Sequence, residues 1–227
     1  YLQLLKWRLN MSHATSKELL LANMSNLIAG HNEAKTALVE AALVRGEKGK
    51  SHSVLLSAPI GVGRVALVSS LSWCLGVPFY RVDASRLCNT ALHAIDNQVE
   101  QLTKLWHICG KDLNVLSKSI VFVEVVGNLR SPVNQSIQKE LVRLIKGKTI
   151  CLGEDDETGD KIEFNTRGLM FVLSLSSDPL DSEYLKNSGS EQGLFESVGI
   201  LPQLLKVVPT RLRLKVHTGS IANTTRP

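Results

Sequence analysis

The sequence predicts an α/β layered fold built on a central, mainly parallel sheet. Three observations lead there. Two runs, SIVFVEVV (residues 119–126) and LMFVLSL (169–175), are almost wholly β-branched, aromatic or aliphatic. Such runs suit strands covered on both faces, as parallel strands are. Helical patterns separate the strand patterns along the chain, which supplies the crossovers a parallel sheet needs. A third apolar run, SVLLS (53–57), passes through a glycine-rich turn straight into a helical pattern at Arg64.

The elements follow in order. Residues 1–26 read as helical and amphipathic, with a serine opening SKELLLANM as a helix N-cap does. AKTALVEAALVR (34–45) is a second helix that ends near Gly46, and RGEKGKSH (45–52) reads as an exposed loop. After the strand at 53–57, residues 64–75 are helical. VPFYRVDAS (77–85) is a second strand closed by a polar turn, and 99–109 is a helix. The strand at 119–126 precedes an amphipathic helix at 133–145. GEDDETGDK (153–161) is acidic and turn-rich, as a hairpin tip is. The strand at 169–175 is followed by a helix at 195–205, which Pro202 limits or bends. RLRLKV (211–216) alternates like an edge strand, and the polar tail begins at His217. No internal repeat is visible.

Composition narrows the classes. A chain of 227 residues with 44% apolar content can bury a core. No stretch approaches eighteen unbroken apolar residues, so no membrane span is expected. The net charge is +5 and the pI near 9.1. This balance admits acidic partners, RNA among them, but 5% aromatic content argues against a base-stacking platform. The four cysteines, Cys74, Cys88, Cys109 and Cys151, include no close pair, so neither a zinc site nor a disulfide framework is expected. They are read as reduced and mostly buried. Because the chain starts at Tyr1, it is expected to be processed. Removal of a transit peptide would place it in the mitochondrial matrix; otherwise the cytoplasm is expected.

SAPIGVGRVAL (57–67) carries the chemistry. A phosphate-binding loop follows G-x-x-x-x-G-K-[ST] between a strand and a helix. Here Ala58 stands at the first glycine, Gly61 and Gly63 are kept, Arg64 replaces the lysine and Val65 the hydroxyl residue. Backbone amides could still wrap a phosphate at the helix N-terminus. Arginine does not reproduce a compact ammonium, and valine offers no oxygen to a metal. In VFVEVVGNL the strand ends with Glu124, in the position of a magnesium-assisting carboxylate. Val125 follows, where a water-activating acid would stand, and a valine cannot take a proton.

With these residues in view, the chain resembles the large ATPase domain of ClpX, an AAA+ unfoldase, from about residue 26 to 216. IAGHNEAKTAL (28–38) is similar to the adenine-contacting segment, with Ile28 and Ala29 in contact position. VLLSAPIGVGRVAL is similar to the first strand and loop. GVPFYRVDASRL and SIVFVEVVGNL are similar to the second and third strands, and IQKELVRLIKG (137–147) to the helix that follows. LMFVLSL is similar to the sensor strand, and LFESVGILPQLLKVVP (194–209) to the arginine-finger segment. The resemblance implies a P-loop NTPase three-layer sandwich. It implies nucleotide contacts at Ile28, Ala29, Gly61, Val62, Gly63, Arg64 and Val65. The finger position falls on Val207 beside Lys206, and the sensor near Ser174 or Ser176. The pore-loop region NTALHAID (89–96) lacks the family's aromatic and glycine, and the tag-binding loop falls on the acidic GEDDETGDK.

The expectation is therefore a helical extension at 1–25, a ClpX-like domain at 26–216 and a tail at 217–227. No catalytic position is intact, Glu124, Val125 and Val207 being the degenerate ones. No metal is expected, Glu124 being the weak magnesium candidate. Whether ATP, ADP or nothing occupies the cradle is left open. The expected role is a structural or assembly subunit bound to protein partners, with RNA contact through the basic segments. The alternatives are an active ATP-dependent unfoldase subunit and a ribonucleoprotein component.

Overall fold

A computed structural model describes residues 16–44, 52–59, 61–87, 94–125, 129–155, 157–176 and 199–214. In chain order the helices are α1 (Lys17–Leu27), α2 (Asn32–Leu43), α3 (Arg64–Leu75), α4 (Ala84–Leu87), α5 (Ala94–Ile108), α6 (Leu113–Ser117), α7 (Pro132–Lys146) and α8 (Pro202–Val207). The strands are β1 (Val54–Ala58), β2 (Phe79–Asp83), β3 (Ile120–Val125), β4 (Thr149–Glu154), β5 (Lys161–Asn165), β6 (Met170–Ser176) and β7 (Thr210–Arg213).

Five strands form a sheet in the order β2-β3-β6-β1-β7, parallel throughout. Alternation of side chains across these strands divides the interior in two. Val54, Leu56, Ala58, Ile120, Phe122, Met170 and Val172 face a layer that includes Leu20 and Met24 of α1, Leu38 of α2 and Leu67 and Leu71 of α3. Leu55, Val121, Val123, Val125, Phe171, Leu173 and Leu175 face the other layer. That layer holds Leu102 and Trp106 of α5, Leu116 of α6, Leu141 and Leu144 of α7 and Leu204 of α8, with Ile150 and Phe164 of the β4–β5 hairpin. This is the three-layer α/β sandwich of P-loop NTPases.

Local signals fix the helix ends. Leu19 N–H donates to Ser16 Oγ at the start of α1 (3.2 Å). Asn134 N–H does the same to Ser131 Oγ at α7 (3.2 Å), and Pro132 occupies the first turn, where its missing N–H is harmless. Helix α7 ends on Gly147 at φ 100°. Buried Thr166 donates its hydroxyl to Leu144 O (2.7 Å) and Lys148 O (3.1 Å), covering carbonyls at that end.

Several expectations need correction. Pro202 opens α8 rather than limiting a helix that starts at 195: residues 199–201 are non-helical, and 195–198 lie outside the described residues. The physical reason is again the proline's preference for a first turn. His52, assigned to an exposed loop, is buried, with Nε2 2.8 Å from Leu169 O. Residues 113–117 form a helix that hydrophobic period did not reveal; Asp112 caps it through Asn114 N–H (2.8 Å). Cys109 is buried and Cys74 half-buried, but Cys151 is exposed. Strand β7 is the expected edge strand, and Arg211 Nη2 donates to Leu205 O (3.1 Å), so one of its basic groups is engaged internally. Residues 1–15, 45–51, Cys88, most of NTALHAID and the tail lie outside the described residues. No described helix is long and apolar enough to cross a membrane.

Candidate nucleotide site

The site forms at the C-terminal ends of the parallel strands. Strand β1 ends at Ala58, and the chain turns through Gly61 (φ 87°) and Gly63 (φ 83°) into α3. Both glycines hold left-handed backbone that a side chain would strain. A Cβ added at either meets no atom within 4 Å, so the space over the loop is open. The N-terminus of the twelve-residue α3 supplies positive potential there. An open glycine turn on a helix N-terminus fits a phosphate group. Val62 and Val65 are partly buried and pack on the core.

Arg64 begins α3 and reaches across to β6, where Nη1 donates to Leu175 O at 2.6 Å. Burial draws its guanidinium below the ordinary arginine value; Glu124 opposes that shift and Arg81 adds to it. Arg64 therefore shares one electrostatic neighbourhood with both side chains.

Glu124 lies on β3, in register with Asp83 of β2 and Ser174 of β6. Its Oε2 accepts from Arg81 Nε at 2.7 Å. Arg81 pairs in register with Phe122, so it reaches Glu124 diagonally on the same sheet face. The hydrogen bond from Arg81 to Glu124, and then the carboxylate's charge, hold the Arg81 guanidinium above its ordinary value. Ser174 is 2% exposed, and its Oγ has no hydrogen-bond partner among the described residues. Period-two alternation puts it on the face of Glu124; it is one of the two serines expected near the sensor. Ser176 is in register with Ala58.

The turn expected to contact adenine is held from beneath. Ile28 ends α1 and packs on the core, Ala29 is exposed, and Gly30 (φ 71°) and His31 (φ 54°) are both left-handed. Lys35 of α2 is 2% exposed and donates from Nζ to Ile28 O (2.5 Å) and Ser25 Oγ (3.4 Å).

Other expected positions lie elsewhere. Val125 points into the opposite layer and is buried, so it does not face the loop. Val207 ends α8, partly buried against that same layer, and Lys206 is exposed. Sequence reasoning missed Arg81 and Lys35. A period-two placement two residues before Asp83 was the available signal for Arg81, but its pairing with Glu124 depends on register. Magnesium does not fit the residues present. Val65 lacks the coordinating hydroxyl, and Glu124 Oε2 already carries a guanidinium hydrogen bond.

Comparison with known proteins bears on this geometry. The family model described as ATPase family associated with various cellular activities (AAA) matches residues 54–185, more than half of the chain. The chain belongs to the AAA family. Within it, this AAA domain is ClpX-like. It is 27% identical over 165 residues to the ATP-dependent Clp protease ATP-binding subunit ClpX 3 of Methylococcus capsulatus, covering 64% of this chain and 37% of that protein. Identity to the ClpX of Azotobacter vinelandii is 25% over 136 residues (54% and 31%). To that of Porphyromonas gingivalis it is 22% over 209 residues (75% and 50%). The chain spans about a third to a half of the length of these relatives. An AAA domain suggests nucleotide binding, which the open loop at Gly61–Gly63 accommodates.

Proposed function

We propose that this AAA domain holds a nucleotide without hydrolysing it and acts as a non-catalytic subunit that binds protein partners in a larger assembly. The observation that carries this reading is the state of Glu124. The family position that would assist a metal is ion-paired with Arg81, and Val125 beside it is a buried hydrocarbon. With Val65 in the hydroxyl position and Val207 in the finger position, three positions hold valine where phosphoryl transfer uses groups that aim water and neutralise charge. Such groups act together on one step, so their losses are not made up singly. Residues 26–216 form the domain in this reading. Of the extension at residues 1–25, the described part in α1 packs on the domain through Leu20 and Met24, both buried.

The test is steady-state ATP turnover by the purified chain. No turnover above background is expected. Turnover that disappears in Arg64→Ala would overturn the proposal. A second reading, an ATP-dependent unfoldase subunit, is favoured by the retained glycine turn and by the ClpX relatives, which are named ATP-binding subunits of an ATP-dependent protease. It requires a neighbouring subunit to lend the missing groups. Turnover gained on mixing with an intact ClpX-type subunit, and lost with Arg64→Ala, would establish it.

A further inference from the structure

Resting on the nucleotide-holding reading above, we propose that Arg81 takes the place of the divalent cation at this site. Arg64 and Arg81 together then receive the phosphates of a nucleoside di- or triphosphate without magnesium.

Four observations support the assignment. The Glu124 carboxylate, at the position of the metal-assisting acid, accepts from Arg81 Nε at Oε2 (2.7 Å). That contact uses one edge of the guanidinium. The Arg81 side chain is 56% exposed, and its Nη groups make no hydrogen bond to a described residue. A planar guanidinium with donors to spare is suited to paired phosphate oxygens. Second, Val65 leaves no hydroxyl to complete a magnesium shell. Third, Arg64 reaches from the loop to Leu175 O on β6, and β3 with Glu124 is the next strand, followed by β2 with Arg81. The two guanidiniums thus flank Glu124 along the strand ends, with Asp83 in register beside it on β2, and both lie where phosphates extend from the loop. Fourth, buried Ser174 Oγ, in register with Glu124 and without a described partner, is a hydroxyl placed for an oxygen-rich ligand. The chemistry selected is a polyphosphate met by guanidinium groups rather than a metal–nucleotide complex.

The experiment is calorimetric titration of the full chain with ADP, once in excess magnesium and once in EDTA. The wild-type chain is expected to bind with affinities within about twofold of each other. Arg81→Ala, a half-exposed strand position, is expected to weaken binding in EDTA by about tenfold or more, the loss of a charge-assisted hydrogen bond. Glu124→Gln, which removes the negative charge between the cations, is expected to bind ADP in EDTA at least as tightly as wild type. Tightening of wild type by magnesium of about tenfold or more would overturn the inference, as would wild-type affinity in Arg81→Ala or no ADP binding in either buffer. Magnesium-dependent binding without ATP turnover would sink this inference alone. Turnover would sink the non-hydrolysing reading instead.

Discussion

At the residue scale, each cation at the site has a separable job. Arg64 joins the phosphate loop to the neighbouring strand through Leu175 O. Arg64→Ala should weaken ADP binding by about tenfold or more and lower stability by about 1 kcal/mol, since a carbonyl loses its donor. Lys35 works from beneath the turn proposed to meet the adenine. It is buried among neutral oxygens, those of Ile28 and Ser25, and so fixes the turn that carries Ala29. Lys35→Met should weaken ADP while leaving inorganic pyrophosphate binding unchanged, because pyrophosphate has no adenine; calorimetry with both ligands separates the two. Val125→Glu should not create turnover. Its side chain enters the layer opposite the loop, and a carboxyl there should destabilise the fold by about 2 kcal/mol or more in urea titration.

At the element scale, the buried runs were the most legible feature. β1, β3 and β6 are hydrophobic on both faces, and no periodic helix competes for those residues. The hairpin was legible from the turn chemistry of GEDDETGDK, and the loop–helix junction from Gly61 and Gly63. What sequence could not carry was register. Arg81 and Glu124 are 43 residues apart, and only the pairing of β2 with β3 makes them neighbours. Short elements also escaped: the helix Leu113–Ser117 is too brief to show a period and depends on its Asp112 cap. His52 looked like a loop residue because the strand that buries it is far along the chain. One tie at this scale is testable. Thr166 covers two carbonyls at the end of α7 while sitting in the connection to β6. Thr166→Val keeps the volume and leaves both oxygens without that donor. Gly147 N–H and Thr166 N–H still reach those oxygens, so a loss of about 1 kcal/mol is expected by denaturant titration.

At the scale of the whole molecule, each layer beside the sheet holds a thiol that burial pushes up, Cys74 on one side and Cys109 on the other. Cys109, buried in the α5–α8 layer, has its thiol pushed up by burial to about 11 from an ordinary value of 9.0, with a hydrogen bond to Ser119 opposing the shift. A thiol held protonated in the folded state contributes stability that is complete below its unfolded value and is lost as pH rises through the folded one. Thermal stability should therefore fall between about pH 9 and 11, and Cys109→Ala should flatten that part of the profile. Differential scanning fluorimetry across the range decides it.

The two described tryptophans also fall on opposite sides of the sheet. Trp73 lies on α3, the helix that starts at the phosphate loop, and is 62% exposed, whereas Trp106 is 5% exposed. Intrinsic emission from this chain is thus expected to contain a red-shifted, acrylamide-quenchable component that belongs to the helix after the glycine turn. In a Trp7→Phe background that removes the remaining indole, ligand occupancy becomes readable as a change in that quenching, with no dye attached.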